Sequence, residues 1–377
     1  MRRTNRTARF RARFGARAAS RYESERRREN RYQRYDCLNA SHRDPRLAYA
    51  ARCSPVRFAL RRRFTYAAFF MLPFKLVYHD RYDLNLGAHV FPSQKYRLVH
   101  EALLNERHAD AADFLLPEPA RDEDVHLVHS QEYVHKLKTG TLSYAEQLRL
   151  EIPYSVELID ACWLAAGGSI LAARRALLDG WAANIGGGFH HAYPDHGEGF
   201  CVLNDVAIAI RRLQMDRAVE TAMVIDTDVH HGNGTAAIFG GDATVYTLSI
   251  HQENNYPYPK PPSNLDINLE DGVGDDDYVG ILEKNLHQAF EEFQPGLIFY
   301  VGGADPYRED QLGGLALTLE GLKRRDALVF DYARRHRVPL AITLAGGYAR
   351  RVADTVRIHV DTILAARDAA QQSAAKA

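Results

Sequence analysis

From Met71 onward the chain predicts an α/β protein with a parallel sheet covered on both faces. Three observations carry the prediction. Residues 183–185, 222–225, 244–250, 297–301 and 340–344 are short runs of β-type composition and mainly apolar, as strands buried on both faces are. Helical patterns at 206–213, 278–293 and 319–335 separate several of them, as crossovers between parallel strands require. Each run also leads into glycine, polar side chains or both, and in an open parallel sheet ligands bind at that carboxyl edge.

The remaining elements follow in chain order. Residues 74–78 form a short strand candidate, and residues 96–106 and 144–150 have helical spacing. Residues 156–178 are a long Ala-rich helical stretch in which Gly167-Gly168 marks a close contact or a break. The Ala/Gln-rich tail, 365–377, is expected to fray, and no internal repeat is evident. The expected organisation is an extension at 1–70, a main folded domain at 71–364 and the tail at 365–377.

The whole chain has 377 residues, 46% hydrophobic and 25% charged, which excludes wholesale disorder. Four Cys are too few and too scattered for a disulfide framework or a zinc ribbon. No uninterrupted apolar run reaches the 18 or so residues of a membrane helix, so a cytoplasmic protein without a membrane partner is expected. The zero net charge hides a split: residues 1–70 hold 20 Arg, no Lys and 5 acidic residues, while the rest carries a net of −15. Three readings compete for the extension. It is a basic arm for nucleic acid or an acidic surface, a targeting peptide, or a stretch ahead of the true initiator Met71. Glu23, Glu25 and Glu29 and the scarcity of Ser weaken the second. A dispensable extension is expected, with no nucleic-acid partner unless the basic arm is genuine.

The strand ends carry the chemistry. Asp228 and His230 stand two apart after the second run, and an extended segment points such residues to one side. Asp305, from another strand end, completes a candidate set of two carboxylates and one imidazole, which leaves a metal open to water and substrate. His190 and His191 follow three glycines and can serve as base and acid. Asp226 and Asn233 can each accept a ring N–H and fix a tautomer. Tyr348, after Gly346-Gly347, can donate its hydroxyl to a developing oxyanion.

Five strings occur in order: Gly187-Gly188-Phe189-His190-His191-Ala192, Gly199-Phe200-Cys201-Val202-Leu203-Asn204-Asp205, Asp226-Thr227-Asp228-Val229-His230-His231-Gly232-Asn233-Gly234, Gly303-Ala304-Asp305 with Asp310-Gln311-Leu312-Gly313-Gly314, and Gly346-Gly347-Tyr348. Together they resemble the zinc-dependent histone deacetylase family, class IV and bacterial members above all, over about residues 71–364. The resemblance implies an arginase/deacetylase-like three-layer α/β fold with a mainly parallel eight-stranded sheet. It implies one catalytic Zn2+ on Asp228, His230 and Asp305. His191 is expected as general base and later general acid, with His190 an electrostatic partner paired to Asp226, and Tyr348 polarising the acyl carbonyl. Gly199, Phe200 and, in a loop hard to register, Tyr256 match the substrate tunnel. Asp226, Asp228, His230, Ser249 and Ile250 match a structural potassium site. Asn233 departs from the many members with Asp there, which leaves the division of labour between the two histidines open.

The implied activity is hydrolysis of the acyl amide of N-acyl-lysine in a protein or peptide, with long acyl chains a secondary expectation. An acetylpolyamine or small acyl-amide substrate is the alternative, since a mouth made acidic by Glu253, Asp266, Glu270 and Asp271 would attract any cation. Two rivals stand further off. A binuclear manganese hydrolase of the ureohydrolase type lacks ligands here, because no carboxylate stands at Tyr307 or just after His230. A degenerate acyl-lysine-binding module would have lost the tyrosine or a metal ligand, and none is missing.

Overall fold

Eight parallel strands build the sheet of the computed structural model, which describes residues 72–84 and 86–374. The extension and its three readings lie outside the described residues. The strands are β1 (Lys75–Val77), β2 (Phe114–Leu115), β3 (Trp181–Asn184), β4 (Ala222–Asp226), β5 (Val245–Gln252), β6 (Leu265–Leu269), β7 (Leu297–Val301) and β8 (Leu340–Thr343). Their order is β2-β1-β3-β8-β7-β4-β5-β6, and all seven ladders are parallel. Every residue of β3, β4, β5, β7 and β8 is buried, which is why these five read as apolar runs. The two strands that neither such a run nor the 74–78 candidate marks, β2 and β6, are at the edges. β2 is two residues long, and β6 alternates Leu, Asp, Ile, Asn, Leu with one face half-open to solvent.

Ten α-helices connect the described strands: α1 (Gln94–Asn105), α2 (Asp122–Val125), α3 (Gln131–Thr139), α4 (Tyr144–Leu150), α5 (Val156–Asp179), α6 (Asp205–Met215), α7 (Asn233–Phe239), α8 (Asp275–Glu292), α9 (Leu319–His336) and α10 (Val352–Ala374). α5 lies along β1, β3 and β8 and packs on α6, while α10 packs on α9 and α1 and reaches β3. The Ser155 hydroxyl caps α5 by accepting the Leu158 N–H. Gly167 and Gly168 do not break the helix. A Cβ on Gly167 would fall 1.9 Å from the Glu118 carbonyl and one on Gly168 2.3 Å from the Tyr82 hydroxyl, so both glycines serve close packing. By length and composition α5 could cross a bilayer, yet 72% of its most apolar window is buried inside the protein. The tail differs from expectation: α10 continues to Ala374, because Ala366, Ala369 and Ala370 are buried against the body.

Register positions the site. Asn184 pairs with Thr343, Thr343 with Val301, Val301 with Asp226, and Asp226 with Ser249. The ends of β3, β8, β7 and β4 thus lie in one row that continues through Ser249 of β5. The chain segments leaving the four ends emerge side by side.

Candidate active site

Beyond β4 the chain turns rather than running extended. The Asp226 carboxylate accepts the Asp228 N–H at 3.1 Å, and the Asp228 carboxylate accepts the His230 N–H at 3.0 Å. Two successive Asx turns of this kind bring the side chains together. His230 Nδ1 lies 3.0 Å from Asp228 Oδ1 and 3.4 Å from Asp305 Oδ2. Asp305, just past β7, accepts the Val229 N–H with Oδ1, while its Oδ2 is buried without a hydrogen-bond partner. The three donor groups converge closely enough to hold one ion. Gly346 makes room for them: a Cβ there would meet Asp305 Oδ2 at 2.1 Å and Asp228 Oδ2 at 2.5 Å. Its N–H donates to Asp228 Oδ2.

Electrostatics describe the same point in space. Burial and the Asp228 charge push the Asp305 carboxyl up to about 7. His230 is raised to about 10, against its burial, by its hydrogen bond with Asp228 and by the charges of Asp228 and Asp305. The cause is shared: two buried carboxylates side by side cannot both ionise cheaply out of water unless a cation joins them. An unpartnered oxygen, two carboxylates and one imidazole suit a borderline metal such as zinc.

The histidine pair follows a turn in which Gly187 and Gly188 take positive φ of 74° and 84°. Asp205, the first residue of α6, accepts the N–H groups of Gly188 and Phe189 and so fixes that turn. His190 Nδ1–H donates to Asp226 Oδ2 at 2.7 Å, and His191 Nδ1–H donates to Asn233 Oδ1 at 2.7 Å. The two Nε2 atoms are 3.1 Å apart. Burial opposes charge on both rings, but Asp226 and Asp228 raise His190 to about 9, whereas burial and the neighbouring His190 and His230 hold His191 well below its ordinary range. Positive charge is therefore favoured on His190 and disfavoured on His191.

Tyr348 is held from behind. The Asp310 carboxylate accepts the N–H groups of Tyr348, Leu312 and Gly313, and the Gln311 side-chain amide donates to the Tyr348 carbonyl. The Asp-Gln-Leu-Gly-Gly string thus anchors the loop after β8. Burial, with Asp228 and Asp305 nearby, keeps the Tyr348 hydroxyl protonated well above its usual range. Buried Lys95 donates to the Ala345 carbonyl and lies 5.7 Å from the Tyr348 ring centre.

A pocket of about 190 Å3 opens onto these groups, with His191, His230, Tyr348, Gly199, Phe200 and Tyr256 among its lining residues. Phe200 has φ +66°, a strained setting for an aromatic residue. Its N–H donates to the Leu150 carbonyl, which keeps the turn in place. Tyr256 packs edge-on against His191 at 5.0 Å, so the hard-to-register loop does reach the pocket. Ser249 and Ile250 lie on β5 beside Asp226. The acidic residue lining the pocket is Glu151; Glu253, Asp266, Glu270 and Asp271 are not among the lining residues, and Asp266 instead accepts from His231 Nε2. Sequence reasoning missed Glu151, Lys95 and Glu198. Glu198 stands directly before the quoted Gly199-Phe200 pair, and its carboxylate accepts from the Asn233 side-chain amide and from Tyr256 Oη.

A parallel α/β sheet with two carboxylates, a metal-competent imidazole and a histidine pair at its carboxyl edge defines an enzyme site of hydrolytic type. A family model for the histone deacetylase domain matches residues 89–363, and the chain belongs to the histone deacetylase family. It is 40% identical to an uncharacterized protein of Picosynechococcus sp., over 78% of this chain and 99% of that one. It is 31% identical to histone deacetylase 2 of Arabidopsis thaliana, covering 74% and 77% of the two chains. With a probable deacetylase of Methanothermobacter thermautotrophicus it shares 32% identity over 72% and 85%. The crystal structure of the HDA15 HD domain shares the fold, with a TM-score of 0.66 at 21% identity over 80% of this chain and 92% of that one.

Proposed function

We propose that the chain hydrolyses the acyl amide of acyl-lysine in a protein or peptide, using one zinc ion held by Asp228, His230 and Asp305. The observation that carries this reading is the convergence of those three donors beneath a pocket that also exposes His191 and Tyr348. When bound, zinc polarises the acyl carbonyl and makes water a nucleophile near neutral pH. His191, neutral and with its Nδ1–H committed to Asn233, offers Nε2 to take the proton of the attacking water. His190 stays charged beside Asp226 and stabilises negative charge as it develops. The Tyr348 hydroxyl donates to the oxygen of the carbonyl as it gains charge. His191 then returns its proton to the leaving lysine nitrogen as the C–N bond breaks, giving a carboxylate and a free amine. Asp226 is buried, and burial raises its carboxyl; a structural potassium ion at Asp226, Asp228, His230, Ser249 and Ile250 would relieve that cost, and it forms part of the proposal.

The acyl group proposed is acetyl, the reading that the match to the histone deacetylase domain supports. The test is a turnover panel at constant ionic strength: an acetyl-lysine peptide, a myristoyl-lysine peptide and an acetylated polyamine. The acetyl-lysine peptide should give the highest kcat/KM. A polyamine ahead by more than about tenfold would overturn the peptide reading, and absence of turnover would return the chain to a binding role.

A further inference from the structure

The two histidines are supported unequally. His190 meets a carboxylate directly, whereas His191 meets a neutral amide. The far side of that amide is not idle: Asn233 Nδ2–H donates to Glu198 Oε1 in a short contact. We infer that Glu198 supplies the negative charge behind His191, acting through the Asn233 amide as a positioning residue; this rests on the functional reading above.

Orientation comes first. An asparagine can present either its oxygen or its nitrogen to a ring. A carboxylate can only accept, so Glu198 commits Nδ2 to itself and leaves Oδ1 for His191. The ring must then carry its proton on Nδ1, and Nε2 keeps the lone pair that faces His190 and the pocket. Charge comes second. A hydrogen bond to a carboxylate polarises the amide and makes Oδ1 a better acceptor, so part of the Glu198 charge is felt at His191.

Glu198 is itself fixed. Tyr256 Oη donates to its Oε1 at 3.2 Å, and His196 Nε2 lies 3.5 Å from Oε2. Burial would raise its carboxyl, but His196, Asn233 and Tyr256 together hold it below the usual range. Its carbonyl accepts the Cys201 N–H, closing the turn that sends Phe200 into the pocket wall. The displacement of charge has a physical reason. Asp226, Asp228 and Asp305 already crowd the floor of the site, and all three are buried. A fourth carboxylate at 233 would add repulsion there, whereas the Glu198 side chain keeps 16% of its surface in solvent and costs less to ionise.

The experiment is a charge transfer between the two positions, made in the zinc-loaded full chain. Glu198→Gln keeps an acceptor for Asn233 and removes only the charge. It should lower kcat by about 10- to 100-fold, with KM within about twofold and zinc content unchanged. Adding Asn233→Asp to Glu198→Gln restores a carboxylate against His191 and should recover most of the loss. Wild-type kcat in the single variant, or no recovery in a folded, zinc-loaded double variant, would overturn the inference. If the wild-type chain hydrolyses nothing in the panel, the functional reading fails separately. The Glu198 inference is then decided by imidazole NMR: the hydrogen-bonded Nδ1–H of His191 should exchange faster in Glu198→Ala, and unchanged exchange rejects it.

Discussion

At Asp305 one carboxylate oxygen accepts a backbone N–H and the other faces His230 and Asp228 with nothing to accept from. A residue so placed is costly unless a cation joins it. Asp305→Ala should therefore abolish hydrolysis and lower the zinc bound per chain, while lowering the electrostatic cost of the metal-free fold; metal analysis and turnover on one sample check both. Tyr348→Phe separates another role. It removes a single donor from a residue whose backbone Asp310 holds, so kcat should fall by about 10² to 10³ with zinc content unchanged. Wild-type kcat in that variant would make Tyr348 a packing residue. The residues of this cluster were legible because they recur at the ends of successive strands beside glycine. Glu198 was not legible. Its meaning depends on Asn233, 35 residues further on, and no local pattern distinguishes it from any other surface glutamate.

The elements were read well where burial is symmetric and badly where it is not. β4 up to Asp226 and the whole of β7 are built of apolar and aromatic residues because helices and neighbours cover them, whereas β6 carries Asp266 and Asn268 on an edge and resembles a loop in composition. The double glycine in α5 shows a second limit: sequence offered two meanings, and only the neighbouring Glu118 carbonyl decides between them. Gly167→Ala should gain about 1 kcal/mol of helix propensity but force a backbone clash costing about 1–3 kcal/mol or more. Net destabilisation is expected, read as a lower urea midpoint. His129 links the start of α6 to the loop after the histidine pair. Its Nε2 accepts the Asn204 N–H and its Nδ1–H donates to the Tyr193 carbonyl. Burial lowers it to about 4 from an ordinary 6.5. The folded state therefore binds this proton less readily than the unfolded chain. Its contribution is complete above pH 6.5 and is lost as pH falls toward 4. His129→Gln should flatten the stability profile in that window, measured by urea unfolding at a series of pH values, whatever it costs at neutral pH.

On the scale of the whole molecule, the Arg-rich first 70 residues and the acidic remainder differ in composition as two separate proteins would. The hydrophobic core among the described residues is assembled from Leu72 onward, and the family match begins at residue 89. A chain starting at Met71 should accordingly fold, with unchanged melting temperature and kcat; insolubility or loss of turnover would give residues 1–70 a structural or binding role. The sheet order was beyond sequence reasoning because pairing joins segments far apart in the chain: β3 and β8 are neighbours although about half the body separates them.

β8 is the only strand joining β2-β1-β3 to β7-β4-β5-β6. Without residues 340–343 the strand order divides into two groups, each with an open edge where β8 would pair, and such edges invite pairing with other chains. During synthesis the segments bearing Asp228, His230 and Asp305 leave the ribosome before β8 does. The backbone N–H of Gly346 and the hydroxyl of Tyr348 arrive only with the strand that closes the gap.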